Sequence, residues 1–323
     1  MKIRSNRMKI KSISISVLCI LLNSSILFAM SPIESIFPVG KGSYWVYTDQ
    51  DGNELTRRVS NEKEIDGKKY KSFEYQPKLS NKIDFQPLIH VNLFNIDHIK
   101  VAFNFSNEYE TTLKNRLKKE LEIYSHLLKD SLAEIYPAES GITVDLKYDI
   151  DVNSDKEHKI LDIRSPVRKD WNVSTTEVKI KIQQEIKGLP DFGHEIEDPE
   201  TTLTFKIIQS AKKLNPENVT TKAGVFAQCN KIEYKTITEV KSDNILTPEL
   251  KAGETVTTVW FADQIGMVKL RQESHKIFLY MLAESEMLKK TKTDIKVNEI
   301  ISPKIITLEL KKFKIESMHR EDE

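Results

Sequence analysis

The sequence predicts a mainly β protein of the α+β class: a curved antiparallel sheet or half-barrel with one long amphipathic helix packed on it. Three observations carry this. Asp51-Gly52 and Asp66-Gly67 separate alternating apolar runs, and Asp-Gly is a strong hairpin signal because glycine takes positive φ without strain. Alternating β-branched and aromatic segments then recur at short spacing from Ile142 to Ile315. Between them, from about Asn107 to Ile135, the apolar period becomes helical.

Residues 1–29 read as a leader rather than as part of this fold. Lys2, Arg4, Arg7, Lys9 and Lys11 come without an acidic residue, an apolar run follows from Ile13 to Phe28, and Ala29 precedes Met30-Ser31-Pro32. A basic head, an apolar middle and a small closing residue mark a secretory signal, so the mature protein is expected to start near Met30. Met8 is an alternative start, because Met8–Ala29 is a complete signal. Ser14, Ser16, Asn23, Ser24 and Ser25 break the run, which is short for ~30 Å of hydrocarbon; no transmembrane span is expected after cleavage. Cys19 lies in the run, but Leu18 stands where lipoprotein processing needs a small residue. The expected localisation is exported, in the periplasm or outside the cell. Residues 30–323 are expected to form a β-rich domain, with 80–158 a strand–helix–strand segment or insertion.

Tyr44-Trp45-Val46-Tyr47 suits a pleated, half-buried surface. Leu55, Arg57 and Val59 return after the first turn, and Tyr70, Phe73 and Tyr75 follow the second, giving a meander of at least three strands. Ile99, Val101, Phe103 and Phe105 then share one face of a strand. Asn107 can cap the helix with Glu110 three residues on, and Glu108 and Glu110 suit the positive end of its dipole. Leu113, Leu117, Leu121, Tyr124, Leu128, Leu132 and Ile135 recur at steps of 4, 4, 3, 4, 4 and 3. Their mean of roughly 3.7 is close to the helix's own ~3.6, so the stripe stays on one face. Two readings stay open: a helix packed on the sheet, or one that docks a partner or lies on lipid. The packing reading turns Leu117, Leu121, Leu128 and Leu132 inward and leaves Lys114, Lys118, Lys119, Glu122 and Lys129 wet. Pro137 and Gly141 end the helix.

Strands resume at Ile142–Ile150 and continue at Val178–Ile182, Leu203–Ile208, Lys231–Val240, Val256–Phe261, Met267–Leu270 and Ile305–Ile315. In the last, Ile306, Leu308 and Leu310 share a face while Phe313 and Ile315 fall on the other phase. A bulge near Lys311-Lys312 would bring both groups inward. Residues 241–254, with Pro248 and Gly253, read as a long loop.

The chain has 49 basic and 48 acidic residues. Losing the leader leaves 44 basic against 48 acidic, a balance without the electrostatic footprint of a nucleic-acid binder. Cys229 is the one cysteine beyond the leader, so no internal disulfide is expected. Strings that resemble active-site motifs fail on their surroundings. Asp191-Phe192-Gly193 lacks a glycine-rich phosphate loop and a His-Arg-Asp catalytic loop. Asp149, Asp151, Asn153 and Asp155 are spaced like calcium-loop ligands, yet Ser154 and Ile160 stand where that loop needs Gly and Glu. The acidic loop holding Asp191, His194, Glu195, Glu197, Asp198 and Glu200 lacks the paired His or Cys spacing of a metal site. No catalytic residue, metal site or cofactor is assigned, and the ligand-binding residues stay unknown.

Three blocks resemble a group of bacterial exported proteins of unknown function. The first, Phe37-Pro38-Val39-Gly40-Lys41-Gly42-Ser43-Tyr44-Trp45-Val46-Tyr47, is similar to that group's Phe-Pro, Gly and Trp-x-Tyr opening. The second, Lys222-Ala223-Gly224-Val225-Phe226-Ala227-Gln228-Cys229, resembles its Pro-Ala-Gly-Thr-Phe-x-x-Cys hairpin, with Lys222 where the group prefers Pro. The third, Trp260-Phe261-Ala262-Asp263-Gln264-Ile265-Gly266-Met267-Val268-Lys269, resembles its Phe-Ala-Pro-x-x-Gly-x-Val-Lys turn, with Asp263 replacing Pro. The group is distantly similar to periplasmic half-barrels of the LolA and LolB type, which carry lipids or lipoproteins. The resemblance implies structural roles for Pro38, Gly42, Trp45, Tyr47, Gly224, Phe226, Cys229, Phe261 and Gly266. It implies an exported, non-catalytic envelope protein that binds or carries an apolar ligand, a lipid or lipoprotein, or acts as a scaffold for another envelope protein. The competing expectation is an exported hydrolase using carboxylates of the 191–200 loop, such as Asp191 and Glu195.

Overall fold

Both Asp-Gly pairs make the turns that their chemistry predicts. Gly52 has φ of 85°, and Asp66 and Gly67 have φ of 50° and 71°. Two consecutive positive values are what a tight two-residue hairpin requires, and Asp66-Gly67 supplies them; in the first turn Gly52 alone is positive, in a longer connection where Gly52 N donates to Asp49 O. The structure, a computed structural model, describes residues 32–77, 86–103, 106–135, 143–187, 200–243, 253–277 and 302–316.

A short helix α1 (Pro32–Ile36) precedes β1 (Tyr44–Thr48), β2 (Glu54–Val59), β3 (Lys63–Ile65) and β4 (Lys68–Gln76). Then come α2 (Pro87–His90), β5 (Leu93–Ile96), β6 (Lys100–Phe103) and the long helix α3 (Ser106–Ile135). The chain continues with β7 (Thr143–Ser154), β8 (His158–Asp162), β9 (Asp170–Lys187), β10 (Glu200–Thr221) and β11 (Gly224–Ser242). It closes with β12 (Thr255–Ala262), β13 (Gly266–Ser274) and β14 (Lys304–Lys314).

The 14 strands form one open sheet in the order β7-β9-β10-β11-β12-β13-β14-β1-β2-β4-β5-β6-β8, with β3 on β4. All of these pairings are antiparallel. The sheet curls over itself: the Tyr234 hydroxyl of β11 donates to Ile160 O of β8 at 3.0 Å, and Trp171 Nε1 of β9 donates to Lys159 O at 3.2 Å. In β14 the register against β1 slips between Leu310 and Lys312, so Lys311 is the extra residue of the expected bulge.

Strands β9, β10 and β11 run to 18, 22 and 19 residues, well beyond their apolar segments. The extensions are rich in Lys, Thr, Ser and Asn, and carry little apolar alternation to betray them. Asn215-Pro216 falls where β10 breaks register with β11; proline has no N–H to donate and is tolerated in a strand at such a bulge. The short strands β3, β5 and β8 also escape the sequence reading, because three to five residues give no measurable period.

The length of β9–β11 lets them serve two cores. One end carries Trp171, Val173, Ala211, Phe226, Cys229, Ile232 and Tyr234 into a core shared with β1, β2, β4 to β6, β8 and β12 to β14. The other carries Val178, Ile180, Leu203, Phe205 and Ile207 into a second core under α3. Helix α3 contributes Leu113, Leu117 and Leu121 to it, joined by Ile150 and Ile277. Each such side chain gains ~1.5–3 kcal/mol by leaving water. Lys118, Lys119, Glu122 and Lys129 are exposed and Lys114 is half-buried. The side chains of Leu128 and Leu132 lie outside the described residues.

The three motif blocks meet in the first core. Gln264 N donates to Ser35 O, Trp45 Nε1 to Ile265 O at 2.6 Å and the Tyr47 hydroxyl to Met267 O at 3.0 Å. A Cβ on Gly266, whose φ is 89°, would stand 3.0 Å from Pro38 Cδ, so the turn and the proline fit closely only with glycine there. Ala223 N donates to Leu310 O, and the Phe226 ring lies 6.3 Å from that of Phe313. Trp45, Phe226 and Phe261 are buried together, Gly42 (φ 90°) and Gly224 (φ 138°) take turn conformations, and the buried Cys229 thiol approaches Phe226 O. Burial pushes that thiol's pKa up, which suits a packing group rather than a nucleophile.

Arg57, only 3% exposed, lies among these aromatics. Its guanidinium carbon is 4.0 Å from the Phe73 ring centroid, 4.7 Å from Phe37 and 5.4 Å from Trp45. Ring faces therefore stand where a carboxylate would usually be, and their cation–π attraction offsets much of the cost of burying the charge, which leaves a small net balance. Arg57→Met, which keeps volume and removes the buried charge, should shift urea stability by no more than about 2 kcal/mol. Arg57→Ala should cost about 3–5 kcal/mol through the cavity it leaves.

The helix gives a second expectation. Leu121 is 1% exposed in the α3 core, so Leu121→Asp buries an unpaired charge and should unfold or aggregate the protein. Lys118→Asp on the wet face should leave the melting temperature within a few degrees. A stable Leu121→Asp variant would show that the stripe is not packed.

Candidate functional site

Between the two cores the inward face of the sheet turns polar along a line across the strands. Ser174 of β9 pairs with Gln209 of β10, Gln209 with Thr236 of β11, Thr236 with Thr255 of β12, Thr255 with Ser274 of β13, and Ser274 with Lys304 of β14. Directly paired residues of antiparallel strands point to the same face. Six side chains therefore form one transverse row at ~4.8 Å intervals. Thr255 Oγ1 and Ser274 Oγ are 3.0 Å apart. A second polar pair lies one step deeper, where Gln272 Nε2 donates to Thr257 Oγ1 at 3.3 Å.

Helix α3 spans this row and leaves a cavity of about 600 Å³ beneath its N-terminal half. That volume falls inside the ~300–1,000 Å³ of ordinary small-molecule sites. Gln209, Thr236, Thr255 and Ser274 line one wall, and Leu113, Ile123, Ile207 and Ile277 supply the apolar part. The helix is held over the cavity by Arg116, whose Nη2 donates to His275 O at 2.9 Å and whose Nε donates to Glu120 Oε1 at 3.1 Å. Glu120 is 3% exposed, and the i,i+4 pair with Arg116 compensates its charge. Arg116, Lys118, Lys119, Lys276 and Lys304 line the cavity, against Glu120 and Glu122 as the acidic side chains.

A buried polar latch fixes the helix start beside the cavity. Ser154 Oγ lies 3.0 Å from His158 Nε2 and 2.7 Å from Thr176 Oγ1, while Ser154 N donates to Glu110 Oε1 at 2.9 Å. Phe103 stacks on the imidazole at 4.4 Å and Tyr109, which lines the cavity, meets it at 5.0 Å. The two rings flank the histidine. Burial lowers the His158 pKa to about 4, against the opposing pull of Asp155. Burial likewise pushes the Tyr109 phenol up.

None of the nine motif residues lines this cavity; they belong to the first core or to its turns. The cavity's polar row escapes sequence reasoning, although a trace exists. Thr236, Thr255 and Ser274 hold inward positions in strands whose other inward residues include Ile232, Tyr234, Val259 and Leu270. Polar residues in apolar phase are visible in a sequence; their alignment across strands needs the register. Of the acidic loop, Asp191, His194, Glu195, Glu197 and Asp198 lie outside the described residues. Glu200 is exposed at the start of β10, with its carboxylate 3.9 Å from Lys181 Nζ. Among the described residues no cluster of three or more His, Cys, Asp or Glu could hold a metal ion, and no helix is long and apolar enough to cross a membrane.

No family model matches the chain, and no curated protein does. Two solved structures are similar to 86% of it. One, from Bacteroides fragilis, is described as an exported protein with a YmcC-like fold; it is 13% identical, 98% of that chain is covered and the TM-score is 0.34. The other, from Parabacteroides distasonis, is described as a lipoprotein; it is 12% identical, 97% of that chain is covered and the TM-score is 0.31.

The His158 shift predicts a pH dependence. The folded histidine stays neutral down to about pH 4, whereas an unfolded one takes a proton below about pH 6.5. Stability is therefore fully present above pH 6.5 and falls as the pH drops towards 4, by on the order of 3 kcal/mol. Urea melts at pH 7 and pH 4.5 should record this loss, and His158→Gln should reduce it.

Proposed function

We propose that this chain is an exported, non-catalytic envelope protein that shelters a small apolar or amphipathic ligand between α3 and the sheet. The observation that carries the reading is the cavity of about 600 Å³, with an apolar part, a wall of hydroxyl and amide groups and charged residues on its helix side. Small-molecule sites combine a mostly apolar lining with a few placed polar groups in this way. The leader-like residues 1–29 support export, with the mature chain beginning near Met30. The resemblance of the three motif blocks to exported proteins of the half-barrel kind supports an envelope setting, in the periplasm or outside the cell. Those blocks lock the first core together and leave the second, with its helix, free to carry the ligand.

Mass spectrometry of organic extracts from protein purified out of its own envelope tests the proposal. A near-stoichiometric small molecule is expected from the unaltered protein. Thr236→Trp, which fills the cavity from the sheet side, should lose that molecule while melting at an unchanged temperature. An empty unaltered protein, or a folded Thr236→Trp variant that retains the molecule, would overturn the reading.

A further inference from the structure

We infer that the ligand is an anionic amphiphile, bound with its charged group at the basic edge of the cavity and its apolar part against Leu113, Ile123, Ile207 and Ile277. This rests on the cavity reading above. The chain beyond the leader is slightly acidic, yet five of the seven charged residues lining the cavity are basic. The local sign therefore opposes the overall one. Glu120, one of the two carboxylates, is engaged by Arg116. Among the described residues Lys118, Lys119 and Lys276 make no ion pair, which leaves three ammonium groups, two from α3 and one just beyond β13, in the lining of one cavity.

The division of the lining fixes an orientation. Lys118 and Lys119 are exposed on the helix and Lys276 is half-buried, whereas Leu113 and Ile277 are buried in the second core. A carboxylate or phosphate at the lysines would keep its solvation partly and gain attraction that salt screens within ~8–10 Å. The attached chain would lie inside, where the hydroxyls of Thr236, Thr255 and Ser274 meet the polar atoms nearest the head. A neutral amphiphile gains only the second set of contacts, and a cationic one is repelled.

Titration calorimetry of the full chain as exported, with hexadecanoate, monohexadecanoylglycerol, hexadecyltrimethylammonium and inorganic phosphate, each below any micellar concentration, separates these cases. Hexadecanoate should bind about tenfold or more tighter than the neutral glyceride, the cation and phosphate should bind weakest, and the preference should shrink at high salt. Lys118→Gln/Lys119→Gln/Lys276→Gln should bring the acid and the glyceride to similar affinity with glyceride binding retained. Equal affinities in the unaltered protein, a preference for the cation, or a preference that survives the triple substitution would overturn the anionic head while leaving the cavity reading intact. Phosphate binding as tightly as hexadecanoate would make the site a free-anion site and overturn the amphiphile. Binding of none of the four would overturn the inference together with the cavity reading.

Discussion

The structure depends on the unbroken hydrogen-bonded ladders of β9, β10 and β11. Their 18, 22 and 19 residues are paired along nearly their whole length, so two apolar cores share one rigid backbone. Without that continuity the α3 core would be a helix on a small separate sheet, with Leu113, Leu117 and Leu121 lacking a fixed floor. Mean strands run ~5–6 residues. Strands three times longer cross regions of different chemistry, and the transverse polar row is the boundary between those regions.

That boundary explains how a cavity persists beside two apolar cores. Apolar walls tend to collapse on a void, because each lost contact costs dispersion energy. Hydroxyls and amides lining one wall change the balance, since they can stay hydrogen-bonded to one another or to a guest. Thr255 with Ser274 and Gln272 with Thr257 do this within the sheet. The Arg116 contacts to His275 O and Glu120, with the Ser154–His158–Thr176 latch, fix the height of the helix above them.

The first core does a different job. Trp45, Phe37 and Phe73 surround the Arg57 guanidinium, and the Pro38–Gly266 contact brings the segment before β1 against the β12–β13 turn. The residues of the three sequence blocks are therefore concentrated where distant parts of the chain meet. The cavity, by contrast, draws on positions that no motif marks.

The sequence by itself determined the mainly antiparallel β class, the two Asp-Gly hairpins, the bulge at Lys311 and the extent of α3 to within two residues, although Asn107 lies inside the first turn of the helix rather than at its cap. Each depends on short-range information: a turn needing positive φ, a period near that of the helix, or a phase change within one strand. Only the tertiary structure decided how far β9–β11 extend, that β8 folds back over β9–β11, that Arg57 meets three rings and that a polar row underlies the helix. Gln209, Thr236, Thr255, Ser274 and Lys304 are separated by 19 to 30 residues in the chain, and only pairing register brings them side by side. A sequence shows which face a residue takes within its own strand; which residues share a row is set by the ladders between strands.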